Sequence, residues 1–264
     1  MTALVGKRII VTRADEQADG LCRALERAGA FVIRCPTIRI APPTSNEALD
    51  EALGRLGEYR WLVFTSSNGV RAVLSRMADL GLSPNTLDSA RVAAVGASTA
   101  RVLEGNGIRA GFVPRLERSR ALAESLVPVQ GEDILLARTD IADPAVADIL
   151  RRRGAARVDD IVAYRTVLLL PPPGALEELR RGVDGITFTS PSTLRGFLKG
   201  GPEVRGLLEG VIVASLGPAT TELARGVGIA VDVEADQRSV NGLVDALDQA
   251  FASGTAAVDE ESGE

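Results

Sequence analysis

Short apolar runs alternate with amphipathic stretches along most of the chain. Lys7–Arg13 (KRIIVTR) contains three consecutive apolar β-branched residues and predicts a buried strand. Between Ala18 and Leu25 the apolar positions follow i, i+3, i+4 and i+7, the spacing of a helix with one buried face. Phe31–Cys35 is again strand-like and stops at Pro36. This strand–helix–strand order favours a parallel sheet with a right-handed crossover.

Two steps from a strand into a helix follow the first unit of this pattern. Trp61–Phe64 predicts a strand, and Ser67 or Asn68 is predicted to cap the helix that comes after it. Arg91–Val95 predicts the next strand, which passes through a glycine-containing turn into another helix. The two segments beyond that helix predict a short edge strand and a basic loop: Gly111–Pro114 and Arg115–Arg120.

The same order of segments returns in the second half of the chain. The strand Asp133–Arg138 (DILLAR) repeats the first one, and matching polar turns follow. Equivalent positions are Arg13 with Arg138, Thr65 with Thr189, and Gly96 with Gly217. Their separations of 125, 124 and 121 residues indicate a duplicated domain rather than a short-period solenoid.

The duplication leaves two ways to assemble the lobes, by pairing neighbouring segments or by crossing between copies. Both remain open on the repeat alone. Proline-containing connectors at Pro42-Pro43 and Pro171–Pro173 follow the first segment of each copy and favour the crossed scheme. That scheme predicts lobe 1 from residues 1–36 and 168–252, lobe 2 from 44–160, a linker from 37–43 and 161–167, and a disordered acidic tail at 253–264.

Composition narrows the protein class. Apolar residues make up 45% of the 264 residues and charged residues 25%, the balance of a soluble globular protein. No apolar run approaches the ~18 residues of a membrane span, and the N-terminus has no signal-peptide core. A net charge of −5 argues against nucleic acid as the main partner. We therefore expect a cytoplasmic protein that binds neither membrane nor nucleic acid.

The chain contains no histidine and only two cysteines, so several kinds of catalysis are disfavoured. Ser-His and Cys-His nucleophile pairs are impossible, and no Cys or carboxylate cluster has the spacing of a metal site. There is also no GxGxxG after the first strand and no GxxxxGK[ST]. Any catalysis must therefore use tyrosine, carboxylates, lysine or backbone N–H groups, and we expect no cofactor and no metal.

Short polar residues gather where the predicted strands end and the helices begin. In parallel α/β sheets this edge binds ligands, and helix N-termini favour anions. Any one such turn is most simply explained as an ordinary helix cap, but matching turns in both copies favour a shared anionic ligand. The predicted substrate-binding residues are Arg13, Thr65, Ser66, Ser67, Asn68, Gly96, Ser98, Thr99, Arg138, Thr189, Ser190, Ser192, Gly217, Thr220 and Thr221.

Tyr164 breaks the repeat at a strand end. At a separation of 126 residues it takes the place of Ile38, and Tyr59 is the only other tyrosine. A tyrosine at a strand end can simply fill a core. However, a phenol with a pKa of about 10 is neutral at physiological pH and can donate a proton. Tyr164 is therefore a candidate for acid–base chemistry, and on these observations alone a core-filling role stays open.

The course of these motifs resembles the uroporphyrinogen-III synthase family. The resemblance covers roughly residues 6–247, and it depends on order and spacing more than on any single motif. The segments that carry it are VTR at 11–13, FTSSNGV at 64–70, VAAVGASTA at 92–100, VAYRT at 162–166, FTSPST at 188–193 and LGPATTELARGVG at 216–228. It implies an α/β fold of two flavodoxin-like lobes with parallel sheets, joined by a two-stranded β-ladder linker, with the polar turns facing one cleft.

The resemblance also implies a reaction. Members of this family are lyases that cyclise linear hydroxymethylbilane to uroporphyrinogen III without a cofactor, losing water and inverting ring D, in haem, sirohaem and cobalamin biosynthesis. The family's tyrosine, which helps the hydroxyl group leave, matches Tyr164. Backbone N–H groups with Arg13 or Arg138 would receive the substrate's carboxylates. We expect a monomer that takes its substrate from hydroxymethylbilane synthase.

Two other functions fit the same turns. A non-catalytic two-lobed sensor could close on an anionic metabolite, and it would not need Tyr164. A phosphosugar enzyme is a third hypothesis, but it calls for a carboxylate or lysine base at a strand end, which is not evident in the sequence.

Overall fold

A computed structural model describes residues 2–261 of the chain. The chain divides into two compact units. One contains the residues up to Arg39 together with those from Val167 onward, and the other runs from Ile40 to Thr166. We call them the first and the second unit. The division into lobes and linker drawn from the sequence, with its particular boundaries, stays a prediction.

The strands are short, most of them four residues long, and each unit builds one five-stranded sheet. In chain order they are β1 Arg8–Val11, β2 Phe31–Arg34, β3 Ile38–Ala41, β4 Trp61–Phe64, β5 Arg91–Ala94, β6 Asp133–Thr139, β7 Arg157–Leu168, β8 Gly185–Phe188, β9 Ile212–Ser215 and β10 Val233–Glu234.

Helices connect the strands, and short 3₁₀ turns lie at 56–58 and 84–89. The helices are α1 Asp15–Arg27, α2 Glu47–Gly54, α3 Ser67–Asp79, α4 Ala97–Glu104, α5 Ser119–Ser125, α6 Ala145–Arg152, α7 Pro173–Arg180, α8 Pro191–Leu198, α9 Glu203–Gly206, α10 Pro218–Gly226 and α11 Val240–Glu261. None of the helices among the described residues is long and apolar enough to cross a membrane.

The first unit is built on a sheet with strand order β10-β9-β8-β1-β2. Each of its neighbouring pairs is parallel, and Ile10 lies in register with Ile33 on one side and Ile186 on the other. Buried apolar side chains cover both faces of this sheet. For this reason the sequences of its central strands are nearly continuous runs of apolar residues.

The second unit has the strand order β3-β7-β6-β4-β5, and the strands from β7 to β5 pair in parallel. One apolar cluster contains Phe64 and Tyr164, and another contains Trp61 and Leu136. Strand β4, which contributes to both clusters, is buried at all four positions. The sheet therefore has a packed core on each face, as parallel sheets require.

Two local predictions were wrong, and a third missed a boundary. Ser66, rather than Ser67 or Asn68, caps α3, and its side chain accepts a hydrogen bond from Gly69 N. The predicted edge strand at 111–114 is reduced to one bridge between Phe112 and Ala93. The predicted basic loop ends at a helix, α5, which buries Leu122. A helix with only two buried positions carries too weak a period to be recognised from sequence.

The end of the chain is described in part. Helix α11 continues to Glu261 and so enters the stretch 253–264, for which the sequence predicts a disordered tail. The last three residues of that stretch, 262–264, lie outside the described residues.

Candidate functional site

A β-bulge places Tyr164 in the second unit. Along β6 and β7, Arg138 pairs with Val162, but the next residue, Thr139, pairs with Tyr164. Ala163 is thus the extra residue of the bulge. Consecutive strand residues normally point to opposite faces, yet Ala163 and Tyr164 are both buried in the same apolar cluster. The bulge therefore turns the phenol toward the face on which α3 begins.

The Tyr164 hydroxyl lies on the turn that opens α3. Its Oη is 2.9 Å from Ser66 Oγ, and Ser66 Oγ accepts from Gly69 N at 3.0 Å. Gly69 is needed there because a Cβ at this position would lie 2.7 Å from the carbonyl oxygen of Ala137 on β6. The small residue brings the helix start close to the sheet, and it thereby brings the Ser66 hydroxyl within reach of the phenol.

The surroundings keep the phenol protonated. Burial is the main cause that raises the pKa of Tyr164 above its ordinary value of 10.0, and the Asp140 carboxylate raises it further. Hydrogen bonding with Ser66, Asn68 and Thr139 opposes these effects without cancelling them. Tyr164 is 5% exposed. At neutral pH it is therefore a neutral phenol at a strand end, hydrogen-bonded to Ser66.

Three residues that the sequence did not single out lie beside Tyr164. Asp140 Oδ1 accepts from Thr139 Oγ1 at 2.9 Å and from the backbone N–H of Thr166 at 3.0 Å, and the two threonine hydroxyls are 2.9 Å apart. Asp140 N also donates to the Tyr164 carbonyl oxygen at 3.2 Å. The signal available in the sequence was a Thr-Asp pair directly after the predicted strand end at Arg138.

Arg138 occupies the predicted strand end, but its guanidinium group is engaged within the protein. Nε donates to Asp160 Oδ1 and Nη1 to the carbonyl oxygen of Asp143, both at 2.6 Å, and the residue is 3% exposed. These contacts favour a structural role, and its role as a substrate contact stays a prediction.

The other predicted residues of the second unit lie at two turns. Thr65, Ser67 and Asn68 are half-buried at the start of α3, beside Ser66. At the start of α4, Gly96 and Thr99 are buried and Ser98 is exposed. The backbone N–H of Ala97 donates to Glu117 Oε1 at 2.9 Å, so a carboxylate of the chain already lies on this turn.

The predicted residues of the first unit lie at the equivalent strand ends. Ser190 caps α8 in a reciprocal capping box with Thr193, and its hydroxyl is 2.8 Å from that of Ser192. Thr221 lies 2.6 Å from the Ser215 hydroxyl and donates to Glu234, an arrangement that helps hold α10 on the sheet. The other predicted residues of this unit also lie near strand ends: Arg13 follows β1, Thr189 follows β8, and Gly217 and Thr220 lie at the start of α10.

Comparison with known proteins decides the family. A family model described as Uroporphyrinogen-III synthase HemD matches residues 19–245. The uroporphyrinogen-III synthase of Synechococcus elongatus is 34% identical, over 93% of this chain and 96% of that protein. The chain belongs to the uroporphyrinogen-III synthase HemD family. This confirms the resemblance seen in the motifs.

Solved structures of proteins named as uroporphyrinogen III synthases share the fold of this chain. A mutant enzyme from the extremely thermophilic bacterium Thermus thermophilus aligns with a TM-score of 0.69 at 20% identity, covering 94% of this chain and all of that one. The Helicobacter pylori protein gives a TM-score of 0.59 at 16% identity, covering 90% and 97%. The predicted α/β class with parallel sheets is confirmed. At identities this low, the similarity is evidence for a shared fold and not for a shared function.

Proposed function

We propose that this member of the uroporphyrinogen-III synthase family cyclises linear hydroxymethylbilane to uroporphyrinogen III, as a hydro-lyase that needs no cofactor. The family match supports the reaction class. The observation that carries the chemistry is the Tyr164 hydroxyl, buried and 2.9 Å from the Ser66 hydroxyl that caps α3.

The first chemical step requires a proton donor. The hydroxyl on the ring-D carbon of the bilane leaves with the C–O electron pair, takes the phenol proton of Tyr164 and departs as water. An azafulvenium cation remains on the substrate. Because the pKa of Tyr164 is raised by burial, the phenol carries its proton throughout the neutral range.

The residues around Tyr164 prepare it for this transfer. Ser66 Oγ already accepts from Gly69 N, so its own proton is available to the phenol oxygen. A hydrogen bond donated by Ser66 leaves the phenol able to give up its own proton, and it stabilises the phenolate once that proton has gone. The proton that the substrate loses when the spiro intermediate reopens to the macrocycle returns to Tyr164, and the overall reaction releases one water.

Positioning supplies the rest of the catalysis. The bilane is flexible, and the isomer formed depends on how it is folded back before ring closure, which is a matter of orientation. The N-terminus of α3 presents N–H groups and the positive end of the helix dipole next to Tyr164, a suitable seat for a substrate carboxylate. Contacts with the predicted turns of the first unit stay part of the proposal.

The deciding experiment incubates the purified protein with hydroxymethylbilane and separates isomers I and III of the product. We expect isomer III, and isomer I alone would overturn the proposal, because uncatalysed closure needs no inversion. Binding of the bilane without isomer III would favour the sensor hypothesis.

The role of Tyr164 has a matched control in the same unit. Tyr164→Phe is expected to lower turnover roughly 10²-fold or more, the usual contribution of a general acid. Tyr59→Phe also removes a buried phenol hydroxyl, one that donates to Asp159 at 2.5 Å, and should leave turnover nearly unchanged. Equal turnover in Tyr164→Phe and the wild type would remove Tyr164 from the chemistry.

A further inference from the structure

The glycine turns of the two units differ in what lies against them. Gly96 opens α4 and Gly217 opens α10, at equivalent positions 121 residues apart. Both glycines have extended backbone, with φ of −176° and 171°, which any residue adopts. Their backbone conformation therefore does not explain why either residue is glycine.

Space explains it. A Cβ on Gly96 would lie 2.5 Å from Glu117 Oε2, and one on Gly217 would lie 3.2 Å from Arg238 Nε. Glu117 and Arg238 are themselves 121 residues apart, the same separation as the two glycines. The duplication has thus kept a long side chain against each turn and reversed its charge.

Glu117 holds the place of a bound carboxylate. Its Oε1 accepts from Ala97 N, the first backbone N–H of α4, at 2.9 Å, and its other oxygen lies over Gly96. Gly96 has no side chain with which to cap the helix, so Glu117 does this from a distant part of the sequence. A carboxylate at the positive end of a helix is the electrostatically favoured arrangement.

We propose that Glu117 closes the α4 turn to the carboxylates of the substrate and so determines which turns of the chain can bind them. A second carboxylate at this turn would have to displace Glu117 or bear its repulsion at short range. The inference rests on the proposed function for the identity of the ligand. It also divides the predicted substrate-binding residues into two groups. Gly96, Ser98 and Thr99 then lie at a turn that Glu117 already occupies.

The test measures the Ala97 amide directly, by ¹⁵N–¹H NMR of the full chain with sodium acetate as the probe. In the wild type we expect the Ala97 resonance to stay unchanged as acetate is added. In Glu117→Ala the turn is open, and the same resonance should shift in a saturable way. Glu124→Ala, which removes an exposed carboxylate from α5, should behave like the wild type.

Glu117→Gln covers the case in which the alanine variant loses α4. It keeps an acceptor for Ala97 N and removes only the charge, so the helix should persist. In the bilane assay this variant should lower KM several-fold, because the repulsion of the substrate has gone, while Glu124→Gln leaves KM unchanged.

Two results would overturn the inference: an acetate-dependent shift of Ala97 as large in the wild type as in Glu117→Ala, or an unchanged KM in Glu117→Gln. A wild type that makes no isomer III is a different outcome. It removes the proposed function, whereas the acetate titration still reports whether Glu117 closes the turn.

Discussion

The two tyrosines show how one side-chain type acquires different properties from its neighbours. Burial, together with donation to the Asp159 carboxylate, raises the pKa of Tyr59 to about 12. Its proton is held by an acceptor that cannot give one back. Tyr164 has a serine hydroxyl as its neighbour, which can accept or donate. Only Tyr164 is therefore able to offer its proton to a ligand and keep a stabilising partner afterwards.

Ultraviolet titration of tyrosinate should report this difference. Both phenols have raised pKa values, so neither should ionise below pH 10 in the folded chain. The stability that each protonated phenol contributes is complete below about pH 10, the unfolded pKa, and is lost as the pH rises through the folded pKa. In Tyr59→Phe the remaining signal belongs to Tyr164. Ionisation of Tyr164 near pH 9 in that variant would contradict the burial described above.

Asp140 should influence Tyr164 by charge. Its carboxylate disfavours the phenolate, so Asp140→Asn should lower the pKa of Tyr164 when measured in the Tyr59→Phe background. The asparagine keeps an oxygen that can accept from Thr166 N, which should preserve the local backbone. Asp148→Asn, on the exposed side of α6, is the control and should leave the titration unchanged. An unaltered Tyr164 titration in Asp140→Asn would mean that the two groups are not coupled.

A substitution at Arg138 can distinguish a structural role from a role in substrate binding. Arg138→Ala removes a buried guanidinium group and its hydrogen bonds to Asp160 and to the Asp143 carbonyl oxygen, and we expect the free energy of unfolding to fall by about 1–3 kcal/mol. The loss stays below that of a fully buried ion pair because the Asp160 carboxylate is exposed to solvent and remains solvated. Arg120→Ala breaks an exposed pair with Asp143 and should change stability little. A stable Arg138→Ala with a raised KM would instead favour the predicted substrate contact.

Sequence reasoning singled out Tyr164 as a candidate but did not reveal its surroundings. A phenol that replaces an isoleucine of the repeat is visible in one sequence, because the duplication supplies its own comparison. The bulge at Ala163 is invisible, since it depends on how β6 and β7 pair across more than twenty residues. The same holds for Arg138 and Asp160, because strand-end position does not reveal an ion pair with the neighbouring strand.

At the scale of elements, α3 and α8 show how two copies of one turn have diverged. Both begin at a serine whose hydroxyl accepts from the N–H three residues later. In α8 that residue is Thr193, whose hydroxyl accepts in turn from Ser190 N and completes a capping box. In α3 it is Gly69, which has no side chain, and Ser66 pairs with Tyr164. The copy with the weaker cap is the one that carries the phenol.

Gly69→Ala tests this arrangement. The new methyl would lie 2.7 Å from Ala137 O, a backbone atom that cannot rotate away. We expect a loss of about 1–3 kcal/mol of stability from overpacking, together with lower turnover as Ser66 moves off the phenol. Gly20→Ala in α1 is the control, with nothing within 4 Å of the added methyl, and should gain about 0.5–1 kcal/mol. Wild-type stability in Gly69→Ala would show that α3 is free to shift.

At the scale of the whole molecule, the fold follows from the duplication more closely than the site does. Alternating apolar runs and amphipathic stretches indicated parallel α/β sheets, and this is confirmed. The residues of the two proposals lie where the copies differ: Tyr164 in place of Ile38, Gly69 in place of Thr193, and Glu117 in place of Arg238. Each of these differences lies at a turn or a strand end, outside the apolar runs of the central strands.

The second unit offers a last prediction, on independence. It is continuous in sequence, and residues 38–168 contain its whole sheet and both of its apolar clusters. A domain of this length can bury enough apolar surface to fold alone. We expect the fragment 38–168 to unfold cooperatively by circular dichroism and to retain the raised pKa of Tyr164.

The fragment should make no isomer III, because the predicted contacts at Arg13, Ser190 and Gly217 are missing. Full synthase turnover by the fragment would confine the substrate site to the second unit, and a fragment without cooperative unfolding would show that the unit depends on the rest of the chain.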